Sequence, residues 1–205
     1  MEELCRGLTK DRIIKATLEI IAEQGFQNVT IRKIAAMADV NVAAVNYHFG
    51  SKDAVINEAL KIVTLQLENA FSCLKEEQIE PAERLELFVK RYSETLFKYP
   101  DIVKNMINHS IHDHPAGFEV EYQKYLKEEG LSLIRRTIGQ IRPLEAASLV
   151  CMRALQLVCC MSFPILLGHR VVEISGVDIT DPEQRQIYTD LLLKNILGEE
   201  YYSYT

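Results

Sequence analysis

Apolar positions recur at helical spacing through most of the chain. Ile13, Ile14, Thr17, Leu18, Ile20 and Ile21 keep one face, which predicts a helix starting at Thr9 or Lys10 and ending at Gln24 or Gly25. Gly25 is expected to supply a left-handed C-terminal position, with Phe26 folding back on Ile21 in a Schellman motif. Thr30 suits the N-cap of a second, short helix reaching about Ala38, and Asp39 with Val40 makes a turn. Asn41 then caps a third helix. The pairs Val29 with Ile34 and Val40 with Val45 have the spacing of hydrophobic staples, so both short helices are held at their starts. In the third helix Val45 and Phe49 point inward, while Ala43, Ala44, Asn46, Tyr47 and His48 lie on the outer surface. Gly50 closes it, and Ser51 caps a long fourth helix that begins at Lys52.

Further along, breakers separate more helices. Pro81 opens one with Leu85, Phe88, Val89, Tyr92 and Leu96 on a single face, and Pro100 ends it. A short helix around Ile102 to Ser110, a loop at His112 to Gly117 and a helix from about Phe118 to Gly139 follow. Pro143 is expected to open a very apolar helix, and Gly168 to Gly176 reads as a connection with some strand character. Asp181 and Pro182 cap and start the last helix, which carries Ile187, Leu191, Leu192, Ile196 and Leu197. The chain is therefore expected to be all-α.

Composition narrows the class. Of 205 residues, 48% are hydrophobic and 25% charged, a globular balance with too few Gly and Pro to break long helices. Leu144 to Leu167 approaches the length of a membrane span, but Glu145, Arg153, Gln156 and Pro164 interrupt it, so a buried helix and no membrane partner are expected. The five cysteines include no CxxC pair, and the N-terminus has no apolar signal region, which together suggest a cytoplasmic protein with buried thiols. The neighbours Cys159 and Cys160 lie in an apolar run and read as core rather than as a redox sensor. The net charge of -6 sits unevenly: residues 1–52 hold seven Lys and Arg against six Asp and Glu, and the remainder holds 16 against 23. Indiscriminate coating of nucleic acid is excluded, and local contact by the N-terminal part is not.

Two short helices on a tight turn, the second exposing small and polar side chains, suit insertion into a DNA major groove. Asn46 can pair bidentately with adenine, Ala43 and Ala44 can approach a thymine methyl, and Tyr47 and His48 can donate to phosphate. Lys52 brings a charge to the start of the fourth helix, and Thr30 and Arg32 can do similar work at the second. Phe88, Tyr92, Met106, His109, Tyr122 and Met152 are candidates for an effector pocket between helices. His109, His112, Asp113 and His114 invite a metal reading, but they fall largely in a loop without a supporting cysteine, and no metal or cofactor is assigned. An enzyme or carrier acting on a small apolar molecule is the competing class. No nucleophile–base signature, glycine-rich phosphate loop or HExxH supports it.

The run from Val29 through Ala35, together with Val45-Asn46-Tyr47-His48-Phe49-Gly50-Ser51-Lys52 and Gly25-Phe26, resembles the signature of tetracycline-repressor-like (TetR) regulators over residues 9–60. Many of those relatives carry Tyr where this chain has Asn46. The resemblance implies a three-helix helix-turn-helix DNA-binding domain over residues 1–52 and a larger helical regulatory domain over 53–205, serving effector binding and dimerisation. It further implies a homodimer formed through the last two long helices, an approximately palindromic operator, and release from it by a small-molecule effector. Ligand-responsive activation would use the same parts.

Overall fold

The computed structural model describes residues 2–104 and 124–198, with side chains from residue 7 onward. Every regular element among them is helical, and the fold is all-α. Helix α1 spans Glu2–Gln24, α2 Ile31–Met37, α3 Val42–Phe49 and α4 Lys52–Ala70, which runs into a 3-10 turn at Phe71–Lys75. Helix α5 is Pro81–Lys98, and residues 100–104 are again helical. A π-helical turn, Leu126–Gly130, leads into α6, Leu131–Ile141. Then come α7 (Ala147–Leu167), α8 (Arg170–Ser175) and α9 (Pro182–Leu197).

Several boundaries differ from the sequence expectation, each for a local reason. Helix α1 starts before Thr9, because its first turns carry few apolar residues and so leave no period to read. The helix opened by Pro81 stops at Lys98, just before Pro100 as expected, and Pro100 itself begins the next helical stretch, where its missing amide costs nothing. Helix α7 opens at Ala147 rather than at Pro143, which lies in a turn closed by the Glu145 amide donating to the Arg142 carbonyl at 3.1 Å. The β-branched run after Gly168 is helix, not strand: with no strand among the described residues to pair with, its amides bond locally, as Gly176 does to Val172 at 2.8 Å. The loop expected at His112 to Gly117 lies outside the described residues.

The chain divides into two compact units, Met1–Leu65 with Tyr99–Val120, and Gln66–Lys98 with Glu121–Thr205. The first has a core of Ile13, Ile20, Ile21, Ile34, Val45 and Val55, all fully enclosed. In the second, the predicted apolar face of α5 is buried throughout, and Phe71, Leu74 and Ile134 pack with it.

Helix α7 is less buried than expected. Its length and mean hydropathy of 1.9 match those of a membrane span, yet only about a third of its most apolar stretch is buried. Val150, Ala154, Leu157, Met161 and Ile165 face the unit's core. Leu149, Met152, Leu155 and Phe163 face solvent, and so do Cys151 and Cys159. The expected buried thiols are thus realised at Cys73, while two others sit on the open face of this helix. Pro164 lacks an amide for the Cys160 carbonyl one turn earlier, and the Tyr188 hydroxyl from α9 donates to that oxygen at 2.7 Å. Beyond it, Arg142 and Arg153 donate to the carbonyls of Leu197 (2.7 Å) and Asn195 (3.0 Å) at the C-terminus of α9. Both also grip Glu145, whose carboxyl is lowered to about 2 first by the Arg153 hydrogen bonds and then by Arg142.

Candidate nucleic-acid interface

The local chemistry of α2 and α3 fixes where their side chains point. Thr30 Oγ1 accepts from the Lys33 amide at 3.2 Å and Asn41 Oδ1 from the Ala44 amide at 2.6 Å, so each helix begins at the residue expected. Ser51 caps α4 in the same way, its hydroxyl accepting from the Ala54 amide at 3.2 Å. The staple residues Val29, Ile34 and Val45 are buried, and Val40 is half-buried.

The turn between α2 and α3 holds a feature that sequence reading put elsewhere. Gly25 has the positive φ expected of it (78°), but its ψ of 163° is extended, and a 3-10 turn follows instead of a Schellman closure. The Schellman pattern occurs at the end of α2: the Val40 amide donates to the Ala35 carbonyl (2.9 Å), the Asp39 amide to Ala36 (3.3 Å), and Asp39 takes a φ of 51°. From α1, Arg12 seals this corner by donating to the carbonyls of Ala38 (2.5 Å) and Asp39 (2.9 Å) and to the Asp39 carboxylate (3.2 Å). Arg12 was not among the candidate residues. A contact 26 residues apart leaves no local signal, and an arginine on a helix face reads as solvated.

The outer side of α3 then presents Ala43, Asn46 and Tyr47 to solvent, with Ala44 and His48 half-covered. Tyr47 is 68% exposed and packs edge-on against His48, ring centres 5.4 Å apart. Phe49, expected inside, is only half-buried, and its ring lies 5.8 Å from the Lys10 ammonium. Lys10 also pairs with Glu58 at 3.6 Å, and the Lys61 ammonium, with Lys10 after it, holds the Glu58 carboxyl below its ordinary range. Thr30, Arg32 and Lys52 are exposed as well. Over residues 29–52 the bases Arg32, Lys33 and Lys52 stand against the single acid Asp39, whose carboxylate faces Arg12. This surface is locally basic on a chain that is acidic as a whole, and it displays a polar, small-residue helix face of the kind that base edges and phosphates can meet.

The effector candidates divide. Phe88 and Tyr92 stack at 5.2 Å inside the second unit and join Phe71, 4.7 Å from Phe88, and Tyr125, 5.5 Å from Phe71. Burial, followed by Glu129 and Glu68, pushes the Tyr125 hydroxyl up to about 12. Sequence reading missed Phe71 and Tyr125, because nothing in their local spacing links residues so far apart. Met152 does not join them: it stands 59% exposed on the open face of α7. Met106, His109 and Tyr122, and with them the histidine-rich loop, lie outside the described residues.

The chain is similar to known proteins both in its N-terminal region and over most of its length. The family profile described as bacterial regulatory proteins, tetR family, matches residues 13–59. The chain is similar to the HTH-type transcriptional repressor NicS of Pseudomonas putida, 20% identical over 195 residues and 92% of each chain. It is also similar to the probable HTH-type transcriptional regulator YttP of Bacillus subtilis, 40% identical over 48 residues and 23% of each chain. Among solved structures, a TetR/AcrR-family regulator from Thermobifida fusca superposes with a TM-score of 0.65 at 14% identity, covering 92% of this chain and 96% of that one.

Proposed function

Since the chain belongs to the TetR family of DNA-binding transcriptional regulators, we propose that it is a dimeric repressor that reads an operator with α3 and leaves it when a small molecule binds. Residues 1–52 are the DNA-reading part and residues 53–205 the regulatory part. One observation carries the reading: Ala43, Asn46 and Tyr47 face outward on a capped, short helix flanked by Arg32 and Lys52. Asn46 reads an adenine edge and Ala43 and Ala44 meet thymine methyls. Tyr47, His48, Thr30, Arg32 and Lys52 hold phosphates, the last beside the amides that open α4.

The dimer forms through α7 and α9. Leu149, Met152, Leu155, Cys159 and Phe163 recur at three- and four-residue steps on α7, and Ile187 with Leu191 forms a second exposed apolar face on α9. Surfaces of this kind call for a partner, and a two-fold pair presents two recognition helices to successive major grooves. The protein then works in the cytoplasm, where its DNA lies. For the effector site, the aromatic group of buried Phe88, Tyr92 and Phe71 with half-buried Tyr125 supports a ligand with an apolar body. Release requires that the ligand favour the arrangement that does not fit DNA, a coupling of about 1 to 3 kcal/mol.

The test is selection of sites from a random DNA pool by the purified protein at physiological salt. A palindrome with half-sites in successive major grooves is expected. Enrichment of single half-sites only, or of no sequence, would overturn the dimeric operator reader.

A further inference from the structure

Arg84, in the first turn of α5, is only 4% exposed. Its guanidinium donates to the Leu74 carbonyl at 3.0 Å and to Gln140 Oε1 at 2.7 Å, both neutral acceptors. Its Nε is buried with no hydrogen-bond partner, the one side-chain nitrogen or oxygen in that condition among the described residues. A buried cation held by neutral groups with a donor unused is expensive, and an anion beside it would remove much of the cost.

Arg84 is among the residues that line a cavity of about 460 Å³. Lys75 and Glu129 on its wall pair with each other and cancel. The charges left over are Arg84 and Arg136 on one hand and Glu77 and Glu128 on the other, and among the described residues none of the four belongs to an ion pair. Ser132 and Gln140 add hydrogen-bonding groups. A pure anion would satisfy the arginines and be repelled by the carboxylates, and a pure cation would meet the reverse. Only a ligand bearing both signs meets complementary charge throughout.

We propose that this cavity binds a small zwitterion of the free α-amino acid class, its carboxylate against Arg84 and Arg136 and its ammonium toward Glu77 and Glu128. The site lies wholly within the second unit, uses none of the aromatic residues discussed above, and does not depend on the reading of α3.

Calorimetric titration of the full-length protein tests this, with each common α-amino acid run beside the carboxylic acid and the amine that it becomes on losing one charge. At least one amino acid is expected to bind with a micromolar to sub-millimolar dissociation constant, and each of its single-charge analogues at least about tenfold more weakly. The Arg84 Nε–H proton resonance shifts on saturation. Arg136→Gln, on the exposed rim, weakens binding at least about tenfold, and Arg84→Lys does the same wherever it folds. The proposal is overturned if no amino acid binds at millimolar concentration, if a single-charge analogue binds equally well, or if Arg136→Gln leaves affinity unchanged. Site selection on DNA is independent of these results, so the two readings fail separately.

Discussion

Tyr188 donates its hydroxyl to the Cys160 carbonyl, the one that Pro164 leaves without a helical amide. A helix interrupted by proline is thereby tied to α9 through the group that the proline frees. Burial, followed by the neighbouring Cys160 side chain, pushes the Tyr188 hydroxyl up to about 12. Tyr188→Phe is expected to lower the unfolding free energy by about 1 to 2 kcal/mol. In a Pro164→Ala background, where a backbone amide returns to Cys160, the same change should cost much less. Denaturant melts of the four proteins measure the difference, and equal losses in both backgrounds would show that the freed carbonyl is not what Tyr188 stabilises.

Arg12 has the corresponding part in the first unit, where it closes the corner between α2 and α3 at Asp39. Its ion pair with the fully exposed Asp39 carboxylate contributes little, while its bonds to two carbonyls at a helix end contribute more. Arg12→Ala should cost about 1 kcal/mol of stability and weaken DNA binding without altering base preference. Asp39→Val should cost a further 1 to 2 kcal/mol or so from the left-handed φ, and Asp39→Gly far less. Thermal melts together with titrations on a cognate site read both effects, and a change of preferred sequence in Arg12→Ala would contradict a positioning role.

These two contacts mark the boundary of what the sequence discloses. The caps at Thr30, Asn41, Ser51 and Asp181 are legible because a side chain meets an amide three residues on. The buried face of α5 is legible because its period is. Arg12 to Asp39 and Tyr188 to Cys160 span 27 and 28 residues, and no local pattern encodes them. Residue type also misleads where two conformations share a composition, as with the Schellman closure at Asp39 rather than Gly25 and the helix at Arg170–Ser175. Hydropathy predicts a buried helix at Leu144 to Leu167, but it does not separate a covered face from an exposed one, and part of α7 is exposed. The candidate DNA-contact surface was legible as a set of residue types, whereas the aromatic group of the second unit required the fold.

That open face gives a direct prediction. Leu155→Glu combined with Ile187→Glu places charge on both exposed apolar faces while leaving each unit's core intact. Sedimentation should show monomers that keep wild-type helicity, and operator affinity should fall by orders of magnitude as the two recognition helices lose their linkage. A double variant that stays dimeric would move the interface elsewhere.

Acid should loosen the corner where α7 meets α9. The Glu145 carboxyl is depressed from 4.5 to about 2, so its stabilising effect is complete above the higher value and is lost as pH falls through the lower. Over that window the wild-type melting temperature should fall more steeply than that of Glu145→Gln, which has no charge to lose. Parallel curves would assign the acid sensitivity to other carboxylates.

The most direct test of α3 as the base-reading element is a titration of wild type, Asn46→Ala and Lys52→Ala on the selected operator and its single-base variants, repeated across salt. Lys52→Ala should weaken every sequence alike and reduce the salt slope by about 1, whereas Asn46→Ala should lose about 1 to 3 kcal/mol at one base pair and become indifferent to it. Wild-type affinity, slope and preference in both variants would contradict the placement of α3 in the groove.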